Sequence, residues 1–182
     1  MPETRPPIDL RGLDFAELQR LIGERRLPPV DQWDPPHCGH SEMRIARDGS
    51  WFHQGSAIRR PAMIRLFSTV LRREADGRHV LVTPVEKLEI EVESTAFRAI
   101  EMSSEGTGPE RKIALRLDSG DVVLLGPANP LTVAPTPRVQ VRHGLEAELS
   151  RPVYYELAEL ALAEGGAGIW SNGAFFPLDD AQ

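Results

Sequence analysis

A single cysteine, Cys38, in 182 residues excludes an internal disulfide and fits a reducing compartment. No apolar run of about eighteen residues is present, so no membrane-spanning helix is expected. The first ten residues lack a charged-then-apolar signal segment, and the expected location is the cytoplasm. Positive charge is in deficit: 21 lysines and arginines against 27 aspartates and glutamates give a formal net charge of −6. That balance argues against a broad electrostatic grip on nucleic acid polymers or anionic lipid. A phosphate-cradling G-x-x-x-x-G-K loop, a G-x-G-x-x-G after a strand and a serine elbow are all missing, which removes three common signatures of nucleotide binding and hydrolysis. No residue set announces a reaction, and no cofactor is expected.

What is present is distributed unevenly. Arg59, Arg60, Arg65, Arg72 and Arg73 make one short segment basic, whereas 86–105 is mostly acidic. An anionic partner should therefore meet the first region. The length allows one substantial core or two small ones.

Turn and cap chemistry sets the expected elements. Residues 1–12 read as a tail. Asp14 with Glu17 three residues on has capping-box spacing, and Leu13 with Leu18 has the spacing of a hydrophobic staple. Leu18, Leu21 and Ile22 form the apolar stripe of this first helix, which Pro28-Pro29 ends. Asp48-Gly49 joins two short strands in a tight hairpin. Pro61 then opens a helix whose apolar spacing runs through Met63, Leu66, Phe67, Val70 and Leu71, placing Arg72 and Arg73 in its last turn. Asp76-Gly77 turns the chain into a strand over 79–83. Beyond it the pattern predicts antiparallel sheet: an alternating strand over 87–93 with its partner at 96–102, a flexible loop at 103–109, and hairpins at 113–125 and 138–149. A helix over 152–163 and a last hairpin around Asn172-Gly173 follow.

An internal repeat is visible. When 57–61 is laid over 148–152, Ile58 meets Leu149, Arg60 meets Arg151 and Pro61 meets Pro152, with Leu66 on Leu157 and Leu71 on Leu162. Duplication of a strand-and-helix unit would produce this; shared helix-start and turn chemistry would produce it as well. The expected fold class is α+β, with two small domains on antiparallel sheets. The boundaries are an amino-terminal tail and helix (1–32), a first domain (33–83) and a second (84–182).

The motifs D-P-P-x-x-G (34–39), M-R-I-x-x-D-G-x-W (43–51), I-x-R-P (58–61), L-F-S-x-V-L-R-R-E (66–74) and L-V-T-P-V-E (81–86) resemble the bacterial family of domain of unknown function 1285. R-P-V-Y-Y-E-L (151–157) and W-S-x-G-x-F-F-P-L (170–178) match its carboxy-terminal end. The resemblance implies two α+β domains with repeated motifs, the second superficially similar to a pleckstrin-homology fold. It also implies a ligand site between the domains for a nucleotide-like molecule, and a signalling role. His40 and Ser41 stand where acidic residues fit that family's pattern better.

Arginines are the leading candidates, because guanidinium groups hold phosphate or carboxylate in fork geometry. Arg44 lies on a strand opposite in direction to the core-facing Met43 and Ile45, and Arg60 starts a helix, where free amides favour anions. The expected ligand is small and anionic, at the junction of the two units. Arg44, Arg60, Arg72 and Arg73 would contact it, with Trp51 or Asp48 beside its non-phosphate part. A structural alternative has Arg60 and Arg151, at equivalent positions of the repeat, each bracing its own unit against Glu86, Glu74 or a backbone carbonyl. Another signalling protein is a second candidate partner. Two further readings remain open: an enzyme with Glu86 or Asp48 as base, and a protein-binding adaptor. His37, Cys38 and His40 include metal-capable side chains, but a second ligand pair at suitable spacing is missing, so no metal is expected.

Overall fold

The computed structural model describes residues 8, 10, 12 and 14–178. The first helix, α1 (Phe15–Glu24), starts as the capping signal requires: Asp14 Oδ1 accepts the Glu17 amide at 2.7 Å. Leu13, the outer half of the expected staple, lies outside the described residues. Phe15 and Leu18 are buried, and a 3-10 turn, Val30–Gln32, follows. A helix this short is marginal by itself in water and exists by docking.

The first sheet comprises β1 (His37–Ile45), β2 (Trp51–His53), β3 (Ser56–Ala57), β4 (Leu71–Arg73), β5 (His79–Val82) and β6 (Glu86–Val92), with α2 (Pro61–Ser68) between β3 and β4. Its order is β3-β2-β1-β6-β5-β4. The second sheet comprises β7 (Phe97–Glu105), β8 (Lys112–Leu117), β9 (Val122–Leu125), β10 (Leu131–Thr132), β11 (Arg138–Arg142) and β12 (Leu145–Leu149), in the order β10-β11-β12-β7-β8-β9. Helix α3 (Arg151–Ala163) and a hairpin, β13 (Gly168–Ser171) with β14 (Ala174–Pro177), complete the α+β architecture.

Four expectations need correction. Helix α2 stops at Ser68, so Arg72 and Arg73 lie on strand β4 and not in a helical last turn. The Ser68 and Thr69 hydroxyls bond back to the carbonyls of Arg65 and Leu66 at 2.7 and 2.6 Å, closing the helix. Leu71 is then taken up by pairing with Leu81. Helical spacing at Val70 and Leu71 is thus outweighed by strand pairing that local sequence does not encode. Second, β6 and β7 are not hairpin partners. Strand β6 pairs with β1 and β5, and β7 with β8 and β12. The chain therefore changes sheets between Val92 and Phe97, not at Thr83-Pro84, and β6 belongs to the first sheet. Third, antiparallel pairing gives way at the centre of each sheet to one parallel pair, β1 with β6 and β7 with β12. Last, β7 continues through Glu105 and a 3-10 turn occupies Gly108–Glu110, where a flexible loop is expected.

Both sheets curl. A flat six-stranded sheet is about 24 Å across its five strand gaps. Residues 126–130 connect β9 to β10, strands at opposite edges, and their six peptide steps reach at most about 20 Å. They reach less in practice, because Gly126 and Asn129 bond to each other in a tight bridge. The edges must therefore turn toward one another. In the first sheet the corresponding gap is bridged by α2, whose Phe67 ring lies parallel to Trp51 with centroids 6.4 Å apart. One continuous core runs through both sheets, from Ile45, Trp51, Leu71 and Ile90 to Phe97, Leu115, Leu145 and Ile169. A smaller cluster lies outside the second sheet, where Leu10, Phe15 and Leu18 pack on Ala114 and Val122.

Candidate functional site

The hairpin tip on β1–β2 is built by local bonds. Asp48 Oδ1 accepts the Ser50 amide at 2.9 Å, and that bond holds its carboxyl below the ordinary carboxylate range. Gly49 has φ +92°, and the tip rests against the second sheet: a Cβ at Gly49 would lie 2.7 Å from Asp118 Oδ2. Arg98 ties the two units, donating to the Arg47 carbonyl at 2.9 Å while its amide bonds Asp118 Oδ1 at 3.1 Å. Although Asp118 retains solvent-facing surface, its carboxyl is wedged beside this turn, and burial pushes it up to about 6.

Arg44 pairs with Glu93 at 2.7 Å and lies over the Phe52 ring at 4.4 Å. The Arg47 amide and then Arg44 hold the Glu93 carboxyl below its ordinary value. Trp51, the expected stacking surface, is only 3% exposed and packs on Phe67, because its side of β2 faces the core.

Arg72 and Arg73 are braces. Arg72 donates to the carbonyls of Val30 and Trp33, at 2.5 and 2.8 Å, and pairs with Glu74 at 2.9 Å. It thereby fastens the segment after α1 to β4. That pairing, with help from Lys87, lowers the Glu74 carboxyl. Arg73 reaches the second sheet: its amide donates to the His143 carbonyl and its guanidinium pairs with Glu146, both at 3.0 Å. Glu86 starts β6 opposite His37, where its amide and carbonyl bond Thr83.

Arg60 is different. It is exposed at the N-cap of α2, and among the described residues neither its side chain nor that of Arg59 makes a hydrogen bond or ion pair. Arg65, on the same helix, has a buried Nε with no hydrogen-bond partner. The structure therefore does not gather the seven candidates into one site. Arg44, Asp48, Arg72 and Arg73 are engaged internally, Glu86 is tied to Thr83 through its backbone, Trp51 is core, and Arg60 faces outward beside Met63 and Leu66, both exposed.

A polar cluster that the sequence does not disclose lies between the second sheet and the amino-terminal segment. Asp121 and Ser119 are each 3% exposed. Asp121 pairs with Arg142 at 3.2 Å and with Arg25 from the end of α1. Its buried Oδ1 is the atom that Arg25 Nη1 meets, while Oδ2 accepts from Arg142 and from the Ser119 hydroxyl. Arg142 also donates to the Ser68 carbonyl and lies 5.2 Å from the Phe97 ring, and burial lowers its proton affinity. His143 Nδ1 meets Asp31 Oδ2 at 2.5 Å. These partners are distant in sequence; only the hairpin over 113–125, whose turn holds Asp118 to Asp121, is legible there. Among the described residues no group of three or more His, Cys, Asp or Glu side chains could hold a metal ion, and no helix is long and apolar enough to cross a membrane.

Two family models match the chain in succession: "Domain of unknown function (DUF1285), N-terminal domain" over residues 28–95, and "Protein of unknown function (DUF1285), C-terminal domain" over 96–178. A DUF1285 family protein from Silicibacter pomeroyi DSS-3, solved by crystallography, is 44% identical with a TM-score of 0.77, the match covering 87% of this chain and 91% of that one. A second, from Shewanella baltica OS155, shares the fold at 21% identity and a TM-score of 0.53, over 64% of this chain and 90% of that one. No curated protein matches.

Proposed function

This chain belongs to the DUF1285 family, and we propose that it works as a non-enzymatic regulatory module that senses a small anionic, nucleotide-like ligand on the outer side of α2. The observation that supports this reading is the unpaired state of Arg59 and Arg60 among the described residues, in a protein of net charge −6. An acidic protein that leaves adjacent arginines exposed, while its other candidate arginines are used as braces, keeps them free for an external anion. Arg60 stands at the amino end of α2, the positive end of the helix dipole. Met63 and Leu66 offer apolar surface for the non-phosphate part. The junction itself is a poor place for a ligand, being filled by the shared core and crossed by Arg73 and Arg98. Asp48 suits the enzymatic alternative badly, since its turn bonds depress its proton affinity instead of raising it.

A thermal-shift panel of nucleotides, cyclic nucleotides and sugar phosphates tests the reading. A ligand at a hundred times its Kd stabilises the fold by about 2.7 kcal/mol, a rise of roughly 5–10 °C for a chain of this length. Arg60→Ala should abolish the rise and leave the unliganded melting point unchanged. Arg72→Ala should lower the unliganded melting point, because it cuts three internal bonds. A panel without any shift, or a shift that survives Arg60→Ala, overturns the site.

A further inference from the structure

Two helices leave charged and apolar side chains without partners, and the two sets are complementary. On α2 the exposed residues include Arg59 and Arg60 at its start, then Met63 and Leu66. On α3 they include Tyr155, Glu156, Glu159 and Leu162. Among the described residues, none of the side chains of Arg59, Arg60, Glu156 and Glu159 makes a hydrogen bond or an ion pair. Their charged neighbours are occupied: Glu164, just past α3, holds Arg111 at 2.6 Å, while Arg72 and Arg73 hold Glu74 and Glu146.

The spacing matches as well as the sign. Exposed apolar residues scattered singly need no explanation, but these fall in stripes. Met63 and Leu66 stand three residues apart, and Tyr155, Glu159 and Leu162 are linked by steps of four and three, which return to one side of a helix. Met63 lies three residues after Arg60, and Leu162 three residues after Glu159. Each interval is about 4.5 Å along a helix axis. With the two helices side by side in the same direction, Met63 on Leu162 therefore brings Arg60 to Glu159. Arg151, the one cation of α3, is then about 12 Å away along the axis, where its repulsion of Arg60 is largely screened.

We propose that this protein self-associates, the α2 face of one copy docking on the α3 face of a second. Within one chain both faces remain exposed, so neither satisfies the other. A second copy fits because its α3 supplies the acid and the apolar stripe that α2 complements, and its α2 does the same for α3. A nucleic acid or an anionic lipid would answer the arginines and leave Glu156 and Glu159 bare. The contact involves a few side chains from each helix, which places it with the weak, reversible interfaces below about 1,200 Å². It shares the α2 face with the anion reading but rests on no ligand. An anion held by Arg60 would exclude the second copy, which gives that site an output.

Sedimentation velocity over a series of protein concentrations, without added ligand, tests the contact. The wild type should pass from monomer to larger species as concentration rises. Arg60→Glu and Glu159→Arg should each weaken association at least about tenfold, because each sets like charges against one another. Neither should move the melting point in dilute solution, since neither side chain has an internal partner. Equimolar mixing of the two variants should restore association, for the exchanged charges then face one another. Leu162→Ala should weaken association with no change of charge. A wild type that stays monomeric at every concentration, association that survives either charge reversal, or a mixture that stays monomeric overturns the second copy as the occupant. The ligand reading fails separately, in the thermal-shift panel run on dilute, monomeric protein.

Discussion

Counted from the first strand of each unit, both sheets have the order 3-2-1-6-5-4 with a parallel pair at the centre. They differ in where the helix is spent. In the first unit α2 bridges the third and fourth strands; in the second, residues 126–130 make that connection and α3 follows the sixth strand. The two helices are therefore not equivalent, although Pro61 and Pro152 align in sequence. Leu66 is 42% exposed whereas Leu157 is fully buried, and Leu71 is fully buried on a strand whereas Leu162 is 72% exposed. The repeated fold is real at the level of strand order, and the Arg-Pro starts converge because proline suits the first helical turn.

The difference also divides labour. On β8 the consecutive residues Ile113, Ala114 and Leu115 are all buried, since the core lies on one face and α1 with its neighbours on the other. On β1, by contrast, most of the residues before Met43 are exposed. The second sheet is the scaffold, and the first displays side chains to solvent.

The largest expected effect tests whether the shared core makes the two sheets one cooperative unit. Trp51→Ala and Phe97→Ala, one in each sheet, should each cost about 3–5 kcal/mol, with a single unfolding transition in calorimetry. A separate low-melting transition in the Trp51 variant would split the molecule into independent halves.

Next in size is an opposition in pH response. Burial, with a smaller contribution from Arg73, brings His79 down to about 4. The unfolded chain takes up this proton below about 6.5 and the folded chain does not until about 4. The contribution of His79 is thus fully present above 6.5 and is lost as pH falls toward 4, by an amount on the order of 2–3 kcal/mol. Asp118 runs the other way. Its folded carboxyl, raised to about 6, favours the fold most below the ordinary carboxylate range, and that advantage disappears as pH rises through 6. Because Asp118 is solvent-facing, screening limits its effect to about 1 kcal/mol or less. Urea titrations at pH 4.5 and 8 should show less acid destabilisation for His79→Gln than for wild type, and more for Asp118→Asn. Identical pH dependence in His79→Gln would remove His79 from the account.

The smallest effect sharpens the contact between the units. Gly49 and Gly173 both have positive φ in tight hairpin turns. A side chain at Gly49 also meets Asp118 and the Arg98 stem, whereas nothing lies within 4 Å of a Cβ at Gly173. Gly49→Val should cost about 2 kcal/mol and Gly173→Val about 1, the backbone strain alone. Equal losses would mean that the hairpin tip does not press on the second sheet.

Local chemistry explains which parts were legible. The Asp14 cap and the turns at Asp48-Gly49, Asp76-Gly77 and Asn172-Gly173 were readable because each depends on a few adjacent residues. The end of α2, the partner of β6 and the central parallel pairs were not, because each is decided by a strand far away in sequence. The candidate site suffered from the same limit. An arginine's residue type shows that it can hold an anion, yet Arg72 and Arg73 are occupied by Val30, Trp33 and Glu146, which only the fold brings near. Arg60 differs in making no side-chain hydrogen bond or ion pair among the described residues.

The central parallel pairs carry a consequence for the chain as it is made. His37 waits for Glu86 and Phe97 for Ala147, in each case a delay of about fifty residues, or roughly 3–10 s of synthesis. During that interval the inner edge of each opening strand is bare. The first unit meets the wait with His37, Cys38, His40, Ser41 and Glu42, a polar stretch that gives another nascent chain little to adhere to. The second meets it with Phe97, Ala99, Ile100 and Met102 on β7, an apolar edge. On an emerging polypeptide it is this later unit, the better covered of the two once folded, that runs the greater risk of pairing with the wrong chain.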